Sequence, residues 1–125
     1  RSNGGNRICT VFMYLEDTEE GGETTFPLIS APGGINEGYS DCARSVLAVK
    51  PQKGAALMFW DTKPSGELNE KSLHSACPVT KGVKWTAAKW IHMAPYAAGP
   101  QEVPTPFEMV TPIRDRNSQG RKMIV

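Results

Sequence analysis

The sequence lacks the features that announce several common protein classes. No two of its three cysteines, Cys9, Cys42 and Cys77, lie close enough together for a zinc-site spacing. Basic charge is not in excess: 14 Lys and Arg against 13 Asp and Glu leave a formal net charge of +1. A nucleic-acid binder normally shows a basic surplus or stripe, and none exists here. No apolar run approaches the ~18 residues of a membrane span. There is no Walker loop, no G-x-G-x-x-G run and no G-x-S-x-G elbow. No cysteine has a neighbouring histidine that would make it a nucleophile. Long helix-compatible stretches are missing too, because 12 Gly and 10 Pro punctuate the chain and favour short strands joined by turns.

What remains is a chain of 125 residues, enough for one domain with a modest core. It opens on Arg1 with no leader-like apolar run behind it, so a processed product or a piece of a longer chain is expected. Residues 7–15 (RICTVFMYL) are β-branched and aromatic, apolar on both faces, and read as a central strand. Further strands are expected at 24–26, stopped by Pro27, then at 46–49, 55–60, 73–79 and 83–93. Residues 28–45 carry two glycine turn clusters and no periodicity. A loop of that length in a compact domain is usually functional or mobile. Six short strands with turns between them describe a sandwich or jelly roll. Residues 99–125, interrupted by Pro100, Pro104, Pro106 and Pro112, read as a flexible polar tail.

The residues 83–93 alternate with a period of two. Lys84, Thr86, Ala88, Trp90 and His92 share one face, and Trp85, Ala87, Lys89, Ile91 and Met93 the other. A lysine on an inward face needs an anionic partner or loses its charge. A ligand carboxylate would serve if that face lines a barrel; on an outer face Lys84 is simply solvated. The acidic residues Glu16, Asp17, Glu19, Glu20 and Glu23 lack the alternating pattern of a calcium loop and read as a solvated turn. His74 and His92 are the only histidines, and a lone histidine in a β-protein is more often structural than ligating. The cysteines read either as three buried thiols or as one disulfide and one buried thiol. Cys42 and Cys77, beside polar and turn residues, are then the candidate pair, and spacing does not choose between the two.

Four segments taken in order resemble the catalytic domain of prolyl 4-hydroxylases, the plant and algal branch above all. They are NGGNRICTVFMYLEDTEEGGETTFP, the DCA around Cys42, LAVKPQKGAALMFWDTKPSGE and SLHSACPVTKGVKWTAAKWIHMAP. The resemblance runs from about Gly4 to Pro95 and leaves the tail uncovered. It implies a mainly β fold, the double-stranded β-helix or jelly roll, in agreement with the strand count. It also implies an Fe(II)- and 2-oxoglutarate-dependent dioxygenase, with ascorbate, acting on a proline-rich protein or peptide in procollagen-type prolyl 4-hydroxylation. By match to the family's motifs, His74 in SLH-x-x-CP is the distal iron ligand. Lys84 in KGVKW binds the distal carboxylate of 2-oxoglutarate, and Thr24 in GGET assists there. Arg7, Trp90 and His92 match peptide-binding positions. Cys42 and Cys77 match a disulfide pair, which favours the endoplasmic reticulum.

The chain departs from the family at one point. The family's His-x-Asp pair precedes the GG-x-R segment, and neither His-x-Asp nor His-x-Glu occurs in the 125 residues. Two of the three iron ligands of a facial triad are thus missing from the sequence. Residues 1–98 are therefore expected to be the C-terminal part of a dioxygenase domain, incomplete at its N-terminal side and inactive alone. The competing expectation is a non-catalytic jelly-roll module that binds a peptide or glycan.

Overall fold

The computed structural model describes residues 4–95 and 108–110. The described residues form nine strands and one turn of 3₁₀-helix. The strands are β1 (Arg7–Tyr14), β2 (Glu20–Gly21), β3 (Thr24–Ser30), β4 (Val46–Val49), β5 (Ala56–Trp60), β6 (Ser75–Ala76), β7 (Val79–Lys81), β8 (Thr86–His92) and β9 (Glu108–Val110). The 3₁₀ turn is Glu70–Ser72. One sheet has the order β5-β1-β8-β9 and a second has β4-β3-β6, while β2 and β7 pair by themselves. All pairings are antiparallel. This is the mainly β, jelly-roll class expected from the spacing of turns.

The alternation in 83–93 holds except at Ala87, which is buried along with Thr86 and Ala88. Thr86 and Ala88 are buried, Trp90 and His92 are half-buried, and Lys89 and Ile91 are exposed. Opposite them on β1, Thr10 pairs with Trp90, Phe12 with Ala88 and Tyr14 with Thr86. On the other side of β1, Thr10 pairs with Phe59 and Phe12 with Leu57. Directly opposed residues share a face, so one face of this sheet carries Tyr14, Phe12, Thr10, Phe59, Trp90 and Thr86. Phe26 of β3 meets that face from the second sheet, its ring 5.3 Å from Phe59 at near right angles. Edge-to-face aromatic packing of this kind stabilises beyond simple area burial.

Three expectations change in detail. The strand at 24–26 does not stop at Pro27. It continues to Ser30, and Pro27 falls where the register with β4 shifts between Phe26 and Ser30. An interrupted ladder needs no amide donor there, so proline is tolerated. The single strand expected at 73–79 is two, because Pro78 has no N–H and the chain crosses from β3's sheet to the β2 pair around it. Lys84 precedes β8 rather than lying inside it, although it keeps the inward direction and is 7% exposed. Within the segment read as a tail, Glu108–Val110 pairs with Thr86–Ala88 of β8; the rest of 99–125 lies outside the described residues.

The connection from β3 to β4 is pinned along its length. Ala31 donates its amide to Ser45 O, Asn36 donates its amide to Arg44 O, and the Asn36 side-chain amide reaches both Ala43 O and Val46 O at 2.8 Å. Cys42 is disulfide-bonded to Cys77 across 35 residues of sequence, and Cys9 is a buried free thiol.

Gly21 is where this packing is least forgiving. Its φ is +75°, and a Cβ there would sit 2.1 Å from the Pro78 carbonyl oxygen, which also accepts the Gly22 amide. Gly21→Ala is expected to destabilise the intact protein by about 2 kcal/mol or more in denaturant unfolding. A loss below about 0.5 kcal/mol would contradict this account of the β2–β7 junction.

Candidate functional site

Between the two sheets the chain places a lysine where water does not reach. Lys84 is 7% exposed, and its ammonium donates to Thr24 Oγ1 at 3.2 Å. Thr24, 3% exposed at the start of β3, also accepts from the Tyr14 hydroxyl at 2.8 Å. The Lys84 ammonium lies 5.8 Å from the Tyr14 ring centroid, so the ring contributes a cation–π contact. Burial pushes the Lys84 pKa down to about 8, and the nearby Glu23 charge partly opposes that. Burial likewise raises the Tyr14 phenol, against the hydrogen bond to Thr24, so Tyr14 stays neutral.

The ion pairs among the described residues are Lys53–Glu16, Lys63–Glu67 and Lys81–Glu19, all formed by exposed lysines. Lys84 takes part in none of them. An ammonium has three donors, and Thr24 uses one. A buried cation with spare donors, flanked by two hydroxyls, fits a carboxylate. The distal carboxylate of 2-oxoglutarate is a group of that kind, so Lys84 and Thr24 come together as the resemblance implies. Tyr14 joins them, a residue that sequence reading missed. The only available signal was its inward parity on β1, which Phe12 and Thr10 share.

His74 sits immediately before β6 and is 8% exposed. Three rings wall it: Phe59 at 4.8 Å, Phe12 at 5.9 Å and Phe26 at 6.1 Å between centroids. Its Nδ1 is 2.8 Å from Ser72 O. A carbonyl can only accept, so Nδ1 carries the proton and Nε2 is left to ligate. Metal-ligating histidines are commonly oriented this way. Yet a facial triad needs two histidines and a carboxylate, and no group of three His, Cys, Asp or Glu side chains converges among the described residues. Asp61 accepts from Thr10 Oγ1 at 2.7 Å, which ties it to the sheet. His74 suits one position of an iron site, but the described residues do not themselves fit Fe(II).

Arg7, Trp90 and His92 form a separate group at one end of the β1–β8 pair. The register shifts between Arg7 and Cys9, so Ile8 is bulged and Arg7 faces His92. A bulge re-aims side chains, and here it turns Arg7 onto the inner face. The Arg7 guanidinium stacks 4.7 Å above the Trp90 ring, and His92 Nδ1 lies 3.1 Å from Gly5 O. Arg7, His92 and His74 all border a cleft of about 520 Å³, with Leu28, Asp61, Leu68, Asn69, Glu70 and Leu73 also on its walls. His74 therefore shares one cleft with Arg7 and His92, while Trp90 stacks on Arg7 without lining it.

One expectation about charge is corrected. Glu16, Asp17, Glu19 and Glu20 are exposed, as a solvated turn requires, but Glu23 is 1% exposed. Its backbone leads directly into β3, whose first residues are buried, and carries the side chain in with it.

The depressed Lys84 pKa has a consequence for stability. An unfolded lysine binds its proton up to about pH 10.4, whereas the folded one loses it near 8. The cost of the buried charge is therefore fully present below about pH 8 and is relieved as pH rises towards 10.4. Lys84→Met is expected to stabilise the unliganded intact protein at pH 7 by about 3 kcal/mol, with the gain shrinking by pH 10. A destabilised Lys84→Met protein, or a pH-independent difference, would contradict this burial.

The family model of the 2OG-Fe(II) oxygenase superfamily matches residues 1–92. Probable prolyl 4-hydroxylase 3 of Arabidopsis thaliana is 47% identical over 98 residues, covering 75% of this chain and 34% of the relative. Prolyl 4-hydroxylase 5 of the same plant is 50% identical over 95 residues, covering 73% and 32%. Probable prolyl 4-hydroxylase 10 is 49% identical over 98 residues, covering 75% and 34%. The chain thus spans about a third of the length of the curated relatives it matches. With the family matched from residue 1 to residue 92, the chain belongs to the 2OG-Fe(II) oxygenase superfamily.

Proposed function

We propose that the intact protein hydroxylates peptidyl proline at C4, using 2-oxoglutarate as cosubstrate at Fe(II). The observation that carries this reading is the buried Lys84 ammonium, bonded to Thr24 and to no carboxylate of the described residues. A binding module that had abandoned oxygenase chemistry would have no reason to keep an unpaired cation in its core, where burial opposes its charge. In this reading Lys84 and Thr24 hold the distal carboxylate, with Tyr14 fixing the Thr24 hydroxyl. His74 contributes one nitrogen to the iron. Iron, when bound, supplies the oxidising chemistry; the chain supplies orientation and charge.

The substrate reading rests on the Arg7–Trp90 stack beside the cleft that Arg7 and His92 border. Arg7 stacked on Trp90 gives a flat, half-buried platform beside His92. Proline-rich peptides hold a polyproline II conformation with little entropy left to lose, and they dock on aromatic-lined grooves. A proline-rich protein is the proposed partner. The Cys42–Cys77 disulfide supports synthesis in an oxidising compartment, for which the endoplasmic reticulum is proposed. Ascorbate belongs to the same proposal as the reductant of the assay.

The test is turnover of a proline-rich peptide by the intact protein with Fe(II), ascorbate and 2-oxoglutarate, read by mass spectrometry of the hydroxylated product. Lys84→Ala is expected to raise the KM for 2-oxoglutarate by roughly 10- to 150-fold, the loss of a charged hydrogen bond worth about 1.5–3 kcal/mol. A Lys84→Ala variant with the native KM would remove the anchoring role. Absence of hydroxyproline from an intact protein that binds 2-oxoglutarate would remove the proline reading while leaving the anchor.

A further inference from the structure

Glu23 is among the largest fully buried side chains, yet it makes no ion pair among the described residues. Its two carboxylate oxygens are taken by one residue of the β3–β4 connection. The Ser40 amide donates to Oε1 at 2.9 Å and the Ser40 hydroxyl to Oε2 at 2.8 Å. The Glu23 carbonyl accepts the Cys77 amide at 2.8 Å, and Cys77 is bonded to Cys42, two residues beyond Ser40. The side chain and backbone of Glu23 are thus held beside the two ends of the disulfide, by Ser40 near Cys42 and by Cys77 itself.

On either side in sequence, Glu23 is flanked by residues that lie beside Lys84. Thr24 accepts from its ammonium, and a Cβ at Gly22 would lie 3.5 Å from Lys84 Cδ. A buried anion and a buried cation are therefore placed around one short piece of backbone without contact between them. Direct pairing would occupy the ammonium donors that a ligand carboxylate needs, whereas a carboxylate restrained at a distance still stabilises positive charge in a poorly screened interior. The other titratable group packed on Lys84 is Tyr14 of β1, which stays neutral. Burial works to raise the Glu23 pKa, but the Ser40 hydrogen bonds, the Glu23 amide and the Lys50 charge outweigh it, so Glu23 is held below the usual carboxylate range and remains charged.

We propose that Glu23 is a positioning residue for carboxylate capture: restrained by Ser40, it keeps Lys84 protonated without occupying the ammonium that binds the ligand. The proposal rests on the reading of Lys84 as the 2-oxoglutarate anchor. It gives the β3–β4 connection and its disulfide a task at the site, since they hold the residue that holds Glu23.

The experiment measures the affinity of the intact protein for 2-oxoglutarate by calorimetry between pH 6.5 and 9.5. The native protein is expected to lose affinity as pH rises through about 8. In Glu23→Gln, which keeps the shape, still accepts from the Ser40 amide and can donate to the Ser40 hydroxyl but has no charge, that break moves down by roughly half a unit to one unit. Affinity at pH 6.5, where Lys84 is charged in both, changes far less. Ser40→Ala leaves the charge but frees one carboxylate oxygen, so its break stays at or above the native one while binding weakens throughout. A Glu23→Gln break at the native pH, with affinity lowered uniformly, would show a merely structural role and overturn the proposal. A Ser40→Ala break below the native one would overturn it as well, and that arm decides the matter if Glu23→Gln does not fold. Native affinity in Lys84→Ala would instead sink the anchor itself, a result distinguishable from failure at Glu23.

Discussion

A lysine ammonium enclosed between two sheets is costly, and much of this molecule is arranged around Lys84. Thr24 meets it from the second sheet and Tyr14 steadies Thr24 from the first. The Tyr14–Thr24 bond runs between β1 and β3, which do not pair with each other, so it ties the two sheets. The charge is left with donors to spare, and that is the opposite of what stability alone would favour. Replacing a buried ion by well-packed apolar groups is often neutral or stabilising.

The rest of the architecture sets the distance between that anchor and the cleft. β1 runs from one to the other. Tyr14 at its end stands by Lys84, Phe12 packs against His74, and Arg7 at its beginning, turned by the bulge, stacks on Trp90. β8 runs beside it with Thr86, Ala88, Trp90 and His92 on the same face. A cosubstrate held at the Tyr14 end would extend along the strand pair towards His74, and a peptide in the cleft would lie at the far end. The aromatic walls formed by Phe12, Phe26 and Phe59 surround His74, so a metal there would stand in surroundings of low polarity.

Much of this was legible in the sequence because the relevant signals are local. The two-residue alternation in 83–93 put Lys84, Trp90 and His92 on one face without saying which way it points, and the motifs around His74 and Thr24 suggested roles only by resemblance. What escaped was set by contacts between distant segments. Tyr14 enters the site because β1 crosses β3, which no periodicity records. The turn of Arg7 onto the inner face depends on one bulged residue at Ile8, and a slip of one position is invisible in composition. Glu23 was grouped with its exposed acidic neighbours, since nothing in GGET states that a chain plunging into a sheet carries its preceding carboxylate along. Pro27 ended a strand on paper and merely interrupted a ladder in the fold.

The central claim is that the Lys84 ammonium is depressed by burial and restored by a ligand carboxylate. Calorimetric titration of 2-oxoglutarate into the intact protein at pH 8.5, repeated in buffers of different ionisation enthalpy, counts the protons that accompany binding. With the free lysine titrating at about 8 and the bound one well above it, uptake of roughly 0.7 proton is expected, absent in Lys84→Met. Binding of 2-oxoglutarate with no proton uptake at that pH would contradict the account.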